Sequence, residues 1–306
     1  MPSNPSLAST VATFYAAQSG FSSPGRHERL YDDLPAAPAR LAEITRGLMI
    51  HRVEGDLFGY DVPPDRLHDD AETRYLDDIL TIITERNPAS LTRPRAFADR
   101  FVGVCRDFSL LFCSFLRHAG IPARLRSGFA DYFGSEGFHF DHMVTEYWDD
   151  RHGWRLADAQ LADPRVTTAF AIDFDPMDVP RDRFLVAGAA LQLIRSGDAD
   201  PQSFGIPLPD RLLAGEWFVI GNVRLDLAAL NKVETLLWDT WGAGTSSDDD
   251  LTDDIRDLYH QVALLTSDEV RFDAARIAFA DNENLRTPST VLSLAPFNGP
   301  RHVTLR

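Results

Sequence analysis

Lysine is almost missing from this chain: Lys232 is the only one among 306 residues. A lysine-dependent phosphate loop or a Schiff-base enzyme therefore has a single position to draw on. Cysteine is nearly as scarce. Cys105 and Cys113 are the whole complement and lie in one short stretch, which excludes a disulfide framework. Apolar runs are short too. The most apolar, Ala187 to Ile194, stops at Arg195, far below the roughly 20 residues that span a bilayer. Met1 to Thr10 has neither a basic region nor an apolar run, so no secretory signal is read there. The net charge is −16, which argues against nucleic acid as a partner because its phosphates would be repelled. The same charge disfavours anionic membrane surfaces. A reducing cytoplasm is the expected compartment, and it keeps Cys105 as a thiol. The lysine-poor, arginine- and alanine-rich composition fits a GC-rich bacterial coding sequence.

What is present is concentrated after Gly103. Phe108, Leu111, Phe112, Phe115 and Leu116 recur at spacings of three and four, the period of one helical face. Leu110 and Cys113 widen that face. Gly120 suits a left-handed C-terminal cap, and Pro122 stops continuation. The pattern predicts a helix from about Cys105 to Ala119. A thiol in its first turn meets unpaired backbone N–H groups and the positive end of the helix dipole, which favour a thiolate and can bind an oxyanion. Cys113, flanked by Phe112 and Phe115, reads as core. Arg106 and Asp107 can contact substrate or pair locally; for Asp107, stabilising the helix start is the simpler role.

Ala123–Phe129, Met143–Trp148 and a stretch beginning at Trp154–Leu156 read as strands, the last two joined by a turn through Asp149, Asp150 and Gly153. That hairpin sets His142 near the start of one strand and Asp158 at the end of the next, facing each other across the ladder. An aspartate on one imidazole nitrogen fixes the tautomer, so the other nitrogen accepts a thiol proton.

Gly103-Val104-Cys105-Arg106-Asp107-Phe108, then Ala119-Gly120-Ile121-Pro122-Ala123-Arg124, then His142 with Glu146 and Tyr147, then Gly153-Trp154 with Asp158 together resemble the transglutaminase-like superfamily. Its pattern is a G-x-C-x-D helix start, a G-I-P-A-R turn, an H-x-W-x-E strand and a G-W-x-x-x-D strand. The resemblance covers about residues 95–165. It implies an α+β fold: a papain-like core with the nucleophile helix packed on an antiparallel sheet, plus additional N- and C-terminal helices. It also implies Cys105 as nucleophile, His142 as general base and Asp158 as the residue orienting it. Val144 stands where the family usually has tryptophan, and Asp158-Ala159-Gln160 replaces its frequent D-P-T. The implied chemistry is acyl transfer from an amide or thioester of a peptide, protein or small molecule. The acyl group passes to water (a peptidase or amidase) or to an amine (a transglutaminase or amide-forming biosynthetic enzyme). The alternative is a non-catalytic binding or scaffold protein that retains the fold.

No cofactor and no metal is expected. His139 and His142 have a suggestive spacing, but residues three apart on a strand point to opposite faces. Asp248, Asp249, Asp250, Asp253 and Asp254 lack the glycine and terminal glutamate of a calcium-binding hand and suit a solvated helix start. Elsewhere, helices are expected over Leu7–Gln18, Ala36–Leu48, Ala71–Arg86, Phe184–Ser196, Asp226–Trp238, Leu251–Leu265 and Asp268–Ala280. Trp217–Leu225 reads as one or two strands. His51–Tyr60 has no clear period, Ala162–Pro180 is irregular, and Asp198–Pro209 and Gly242–Asp250 are loops. The expected organisation is a catalytic domain over 1–204, with its core at about 70–165, and a mainly helical extension over 205–306, which is nearly as easily read as part of one domain.

Overall fold

The structure, a computed structural model, describes residues 5–134, 137–208, 211–244 and 246–306. The start of the polar N-terminal stretch, the end of the loop expected over 198–209 and one position of that expected over 242–250 lie outside the described residues. The fold is α+β and divides into two compact units. One holds the chain up to Leu125 and Val144–Val179; the other holds Arg126–Met143 and Pro180–Arg306.

In the first unit the order is α1 (Ser9–Ala16), α2 (Pro38–Leu48), β1 (Met49–His51), α3 (Gly55–Phe58), α4 (Pro64–Asp69), α5 (Leu76–Arg86), β2 (Phe101–Gly103) and α6 (Cys105–His118). The start of β3 (Ala123–Ala130), most of β4 (His139–Asp149), then β5 (Gly153–Ala157) and α7 (Pro164–Ala169) complete it. β1 and β2 pair in parallel, with His51 opposite Gly103. β4 and β5 pair antiparallel from Thr145 opposite Ala157 to Asp149 opposite Gly153, and β3 lies beside β4. The helix predicted from Cys105 forms, and Gly120 takes the left-handed conformation (φ 76°) expected of its cap. Phe108, Leu111, Phe112, Phe115 and Leu116 are all buried, each contributing about 1.5–3 kcal/mol. α6 packs against α1 and α2, while Thr145 Oγ1 of β4 donates to Ser109 O of α6 at 3.0 Å. α6 thus rests on the antiparallel strands.

In the second unit, Gly128–Ala130 of β3 pairs antiparallel with β6 (Phe184–Val186), after which α8 (Ala187–Ser196) begins. Residues 184–186 are therefore strand rather than the first turn of the expected helix. β7 (Phe204–Pro207) occupies the segment expected as a loop, pairing in parallel with His139 and Phe140 of β4 and antiparallel with β8 (Leu212–Ala214). α9 (Glu216–Leu230) replaces the strand expected over 217–225 and ends well before Trp238. β9 (Asp239–Thr240), α10 (Asp253–Thr266), α11 (Phe272–Asp281), β10 (Thr290–Ala295) and β11 (Gly299–Thr304) follow. The last two form a hairpin, and β9 pairs with β10. Asp253 and Asp254 occupy the first turn of α10 behind the Thr252 cap, a helix-start role for the acidic run. Among the described residues no helix is long and apolar enough to cross a membrane.

Candidate active site

Cys105 is the first residue of α6 and only 5% exposed. The helix starts there because Val104 is extended and its N–H donates to Asp107 Oδ2 at 2.9 Å, while Val104 O accepts from Asp107 and Phe108. A first-position N–H has no acceptor within its own helix, so the Cys105 amide is a donor at the thiol. Gly103 packs tightly: a Cβ there would lie 2.9 Å from Met49 Cε and 3.0 Å from Asp107 Oδ2. Arg106 turns inward, meeting Asp107 Oδ1 at 3.0 Å and Arg74 O at 2.6 Å. Both Arg106 and Asp107 are fully buried, so the pair is local. Burial pushes the Asp107 carboxyl above its usual range, with Arg106 the main opposing influence.

Arg52 approaches from the end of β1, its N–H donating to Gly103 O at 2.9 Å. Burial lowers the pKa of its guanidinium, opposed by nearby Cys105 first and then by Asp107 and Glu72. Arg52 also lines an open cleft of about 280 Å³ together with Val53, Tyr60 and Val62. Neither Arg52 nor the cleft was legible in sequence, because the 51–60 segment carries no period.

Asp158 directly follows β5 and is 2% exposed. Its N–H donates to Pro176 O at 2.8 Å, and its Oδ1 accepts the N–H of Gln160 at 3.0 Å, capping a 3-10 turn over Ala159–Leu161. That turn packs against α6 and α2. The other motif positions form one structural cluster. Arg124 Nε and Nη2 reach Glu146 Oε2 at 2.7 Å, and the same guanidinium lies 3.9 Å from the Trp154 ring centroid.

His142 belongs to the second unit, on β4, and is 3% exposed. Phe133, Tyr132 and Phe184 stand edge-on to its ring, with centroids at 4.8, 6.0 and 6.2 Å. These three rings supply aromatic surroundings that Val144 does not. His139 goes elsewhere, stacking on Phe204 at 4.6 Å. Among the described residues no cluster of three or more His, Cys, Asp or Glu side chains is placed to hold a metal. Burial pushes the Asp141 carboxyl up to about 6, opposed by His142 and by a hydrogen bond from Asn222.

Cys105 and Asp158 thus lie in one unit and His142 in the other. No curated protein matches the chain. One solved structure, of a candidate cysteine protease from Cytophaga hutchinsonii, is similar at 18% identity with a TM-score of 0.30. The match covers 52% of this chain and 44% of that one, so the chain spans less than half the length of that relative. The model of the transglutaminase-like superfamily core matches residues 70–159, from just before α5 through Asp158. Residues 70–159 of this chain are thus similar to the core of the transglutaminase-like superfamily.

Proposed function

We propose that this protein is a cysteine-dependent acyl-transfer enzyme in which Cys105 is the nucleophile, His142 the general base and Asp158 the residue that orients it. The observation that carries the reading is the placement of Cys105, buried at the first position of α6 within the matched core. The β4–β5 register supports the partners. The last pair of that ladder is Thr145 opposite Ala157; Asp158 directly follows Ala157, and His142 lies three residues before Thr145 on β4.

In the first step His142 takes the Sγ proton and the thiolate attacks the acyl carbon of an amide or thioester. The resulting oxyanion is held by N–H groups at the start of α6. Collapse forms the thioester on Cys105 and breaks the bond to the leaving group, which takes the proton from the imidazolium. In the second step His142 deprotonates water or an amine. That nucleophile attacks the thioester, the product leaves, and the proton returns to Sγ. Asp158 holds the imidazole in the required tautomer throughout and stabilises its cation.

A haloacetamide probe tests this at neutral pH. Cys105 is expected to be labelled far faster than Cys113, which is fully buried mid-helix, and Cys105→Ala is expected to abolish a trapped acyl adduct seen by mass spectrometry. Equally slow labelling of both thiols would favour the non-catalytic scaffold reading.

A further inference from the structure

A buried polar chain in the first unit runs from Asp158 to side chains that have no part in the chemistry so far assigned. From Asp158, Oδ1 reaches the Gln160 N–H, and the Gln160 carboxamide continues the chain, its Nε2 donating to Glu54 Oε1 at 2.9 Å. Glu54 Oε2 meets Arg46 Nη2 at 2.6 Å and accepts the His51 N–H at 3.4 Å. The Arg46 guanidinium lies over Phe58 and Phe108, at 4.9 and 5.3 Å from their centroids. Phe108 is in the first turn of α6, just beyond Cys105. Arg46, Glu54, Asp158 and Gln160 are all 5% exposed or less.

Such a chain is a costly way to gain stability. A buried ion pair barely offsets its own desolvation, and Gln160 Oε1 is sealed from solvent with no hydrogen-bond partner. An orphaned buried acceptor costs about 1–3 kcal/mol, so an apolar side chain of the same volume would suit the site better on stability alone. What glutamine adds is Nε2, and Nε2 holds Glu54. Burial pushes Glu54 upward, and Arg46 is the strongest influence keeping it ionised to receive that bond.

We infer that Gln160 is a positioning residue for Asp158. It clamps the Ala159–Leu161 turn through Glu54 and Arg46 to the helix that carries Cys105, and thereby fixes the carboxylate that serves His142. The inference rests on the proposed triad and goes beyond it, because the clamp predicts what a residue touching no substrate does to Cys105.

The test measures alkylation of Cys105 by iodoacetamide in the full chain, from about pH 5 to 9, for Asp158→Ala, Gln160→Met and their double variant. Gln160→Met keeps the packing and removes the donor. It is expected to slow alkylation near neutral pH about tenfold and to move the midpoint of the pH profile in the same direction as Asp158→Ala. The double variant should be no slower than Asp158→Ala alone, since both act through one carboxylate. Gln160→Glu, the second probe should Gln160→Met fail to fold, places like charges together. Its defect should be large at alkaline pH and relieved near pH 5, where the pair shares a proton. A purely structural role would lower the melting temperature without moving the profile, and that outcome overturns the inference. So does a double variant slowed by the product of the two single effects, or a Gln160→Glu defect independent of pH. If Asp158→Ala itself leaves alkylation unchanged, the triad reading fails first and the clamp falls with it.

Discussion

Asp141 precedes His142 on β4, and its Oδ1 is sealed from solvent with no hydrogen-bond partner. Its carboxyl titrates at about 6 in the folded protein against an ordinary 3.8, chiefly because of burial. Between those values the folded protein keeps a proton that the unfolded chain has released. Stability therefore falls as pH rises through that window, by a total on the order of 3 kcal/mol. Asp141→Asn removes the titration and keeps the amide-sized shape. The variant should match the parent near pH 4 and be more stable near pH 7, read from urea melts at both values. A variant no more stable than the parent at pH 7 rules the account out. Residues differ sharply in how legible they are. Cys105, His142 and Asp158 stand beside glycines, turns and tryptophan in short motifs, so local spacing marks them as candidates. Gln160 and Glu54 are 106 positions apart, and no local pattern links a glutamine after a strand to a glutamate in an aperiodic stretch.

Elements were legible where one face decides them. α6 and α10 show a helical stripe with a cap, and β4 and β5 flank a clear turn. α9 departs from the strand expected there because Trp217, Phe218, Val219 and Ile220 have strand preferences. It is a helix buried on nearly all sides, with Val219, Val223 and Leu227 in the core and even Asn222 and Asp226 enclosed, and such burial overrides propensity. It ends where Lys232 takes a left-handed φ of 64°. β7 was hidden by Pro201 and Pro207, yet Phe204 and Gly205 pair with β4 inside the sheet. The β10–β11 hairpin turns at Asn298-Gly299, with φ 71° at the glycine, a local turn signal in the sequence. At β7 the close packing makes a prediction. A Cβ on Gly205 would lie 2.1 Å from Leu213 O and 2.8 Å from Ala214 Cβ, forcing β7 and β8 apart. Gly205→Ala should cost about 1–3 kcal/mol, whereas Gly20→Ala, with nothing within 4 Å, should stay within about 0.5 kcal/mol. Equal melting temperatures for the two variants would rule out strand separation.

At the scale of the molecule, composition leads to one α+β chain without disulfides, but not to how the chain is shared between units. The chain passes between the two units at residues 125–126, 143–144 and 179–180, so the boundary expected near 204 falls inside the second unit. Its core explains why. Phe129, Ala187, Leu191 and Phe204, from before that boundary, pack with Val219, Val223, Leu227, Tyr259 and Val262 from beyond it. Arg126 and Asp226 are both fully buried and bonded at 3.0 Å through Nε and Nη2, and Thr266 O also accepts from Nη2. Cutting the chain after residue 204 removes Asp226 and leaves Arg126 as an uncompensated charge among stripped apolar groups. Losing one partner of such a pair costs about 3–5 kcal/mol, a large share of the 5–15 kcal/mol that typically holds a domain together. Residues 1–204 alone should therefore lack a cooperative melt and be digested rapidly across 126–143, the segment that carries His142, while the full chain resists. A truncated chain that melts cooperatively near the parent temperature would mean that the first 204 residues fold by themselves, and that the C-terminal third is an appendage rather than part of the scaffold behind His142.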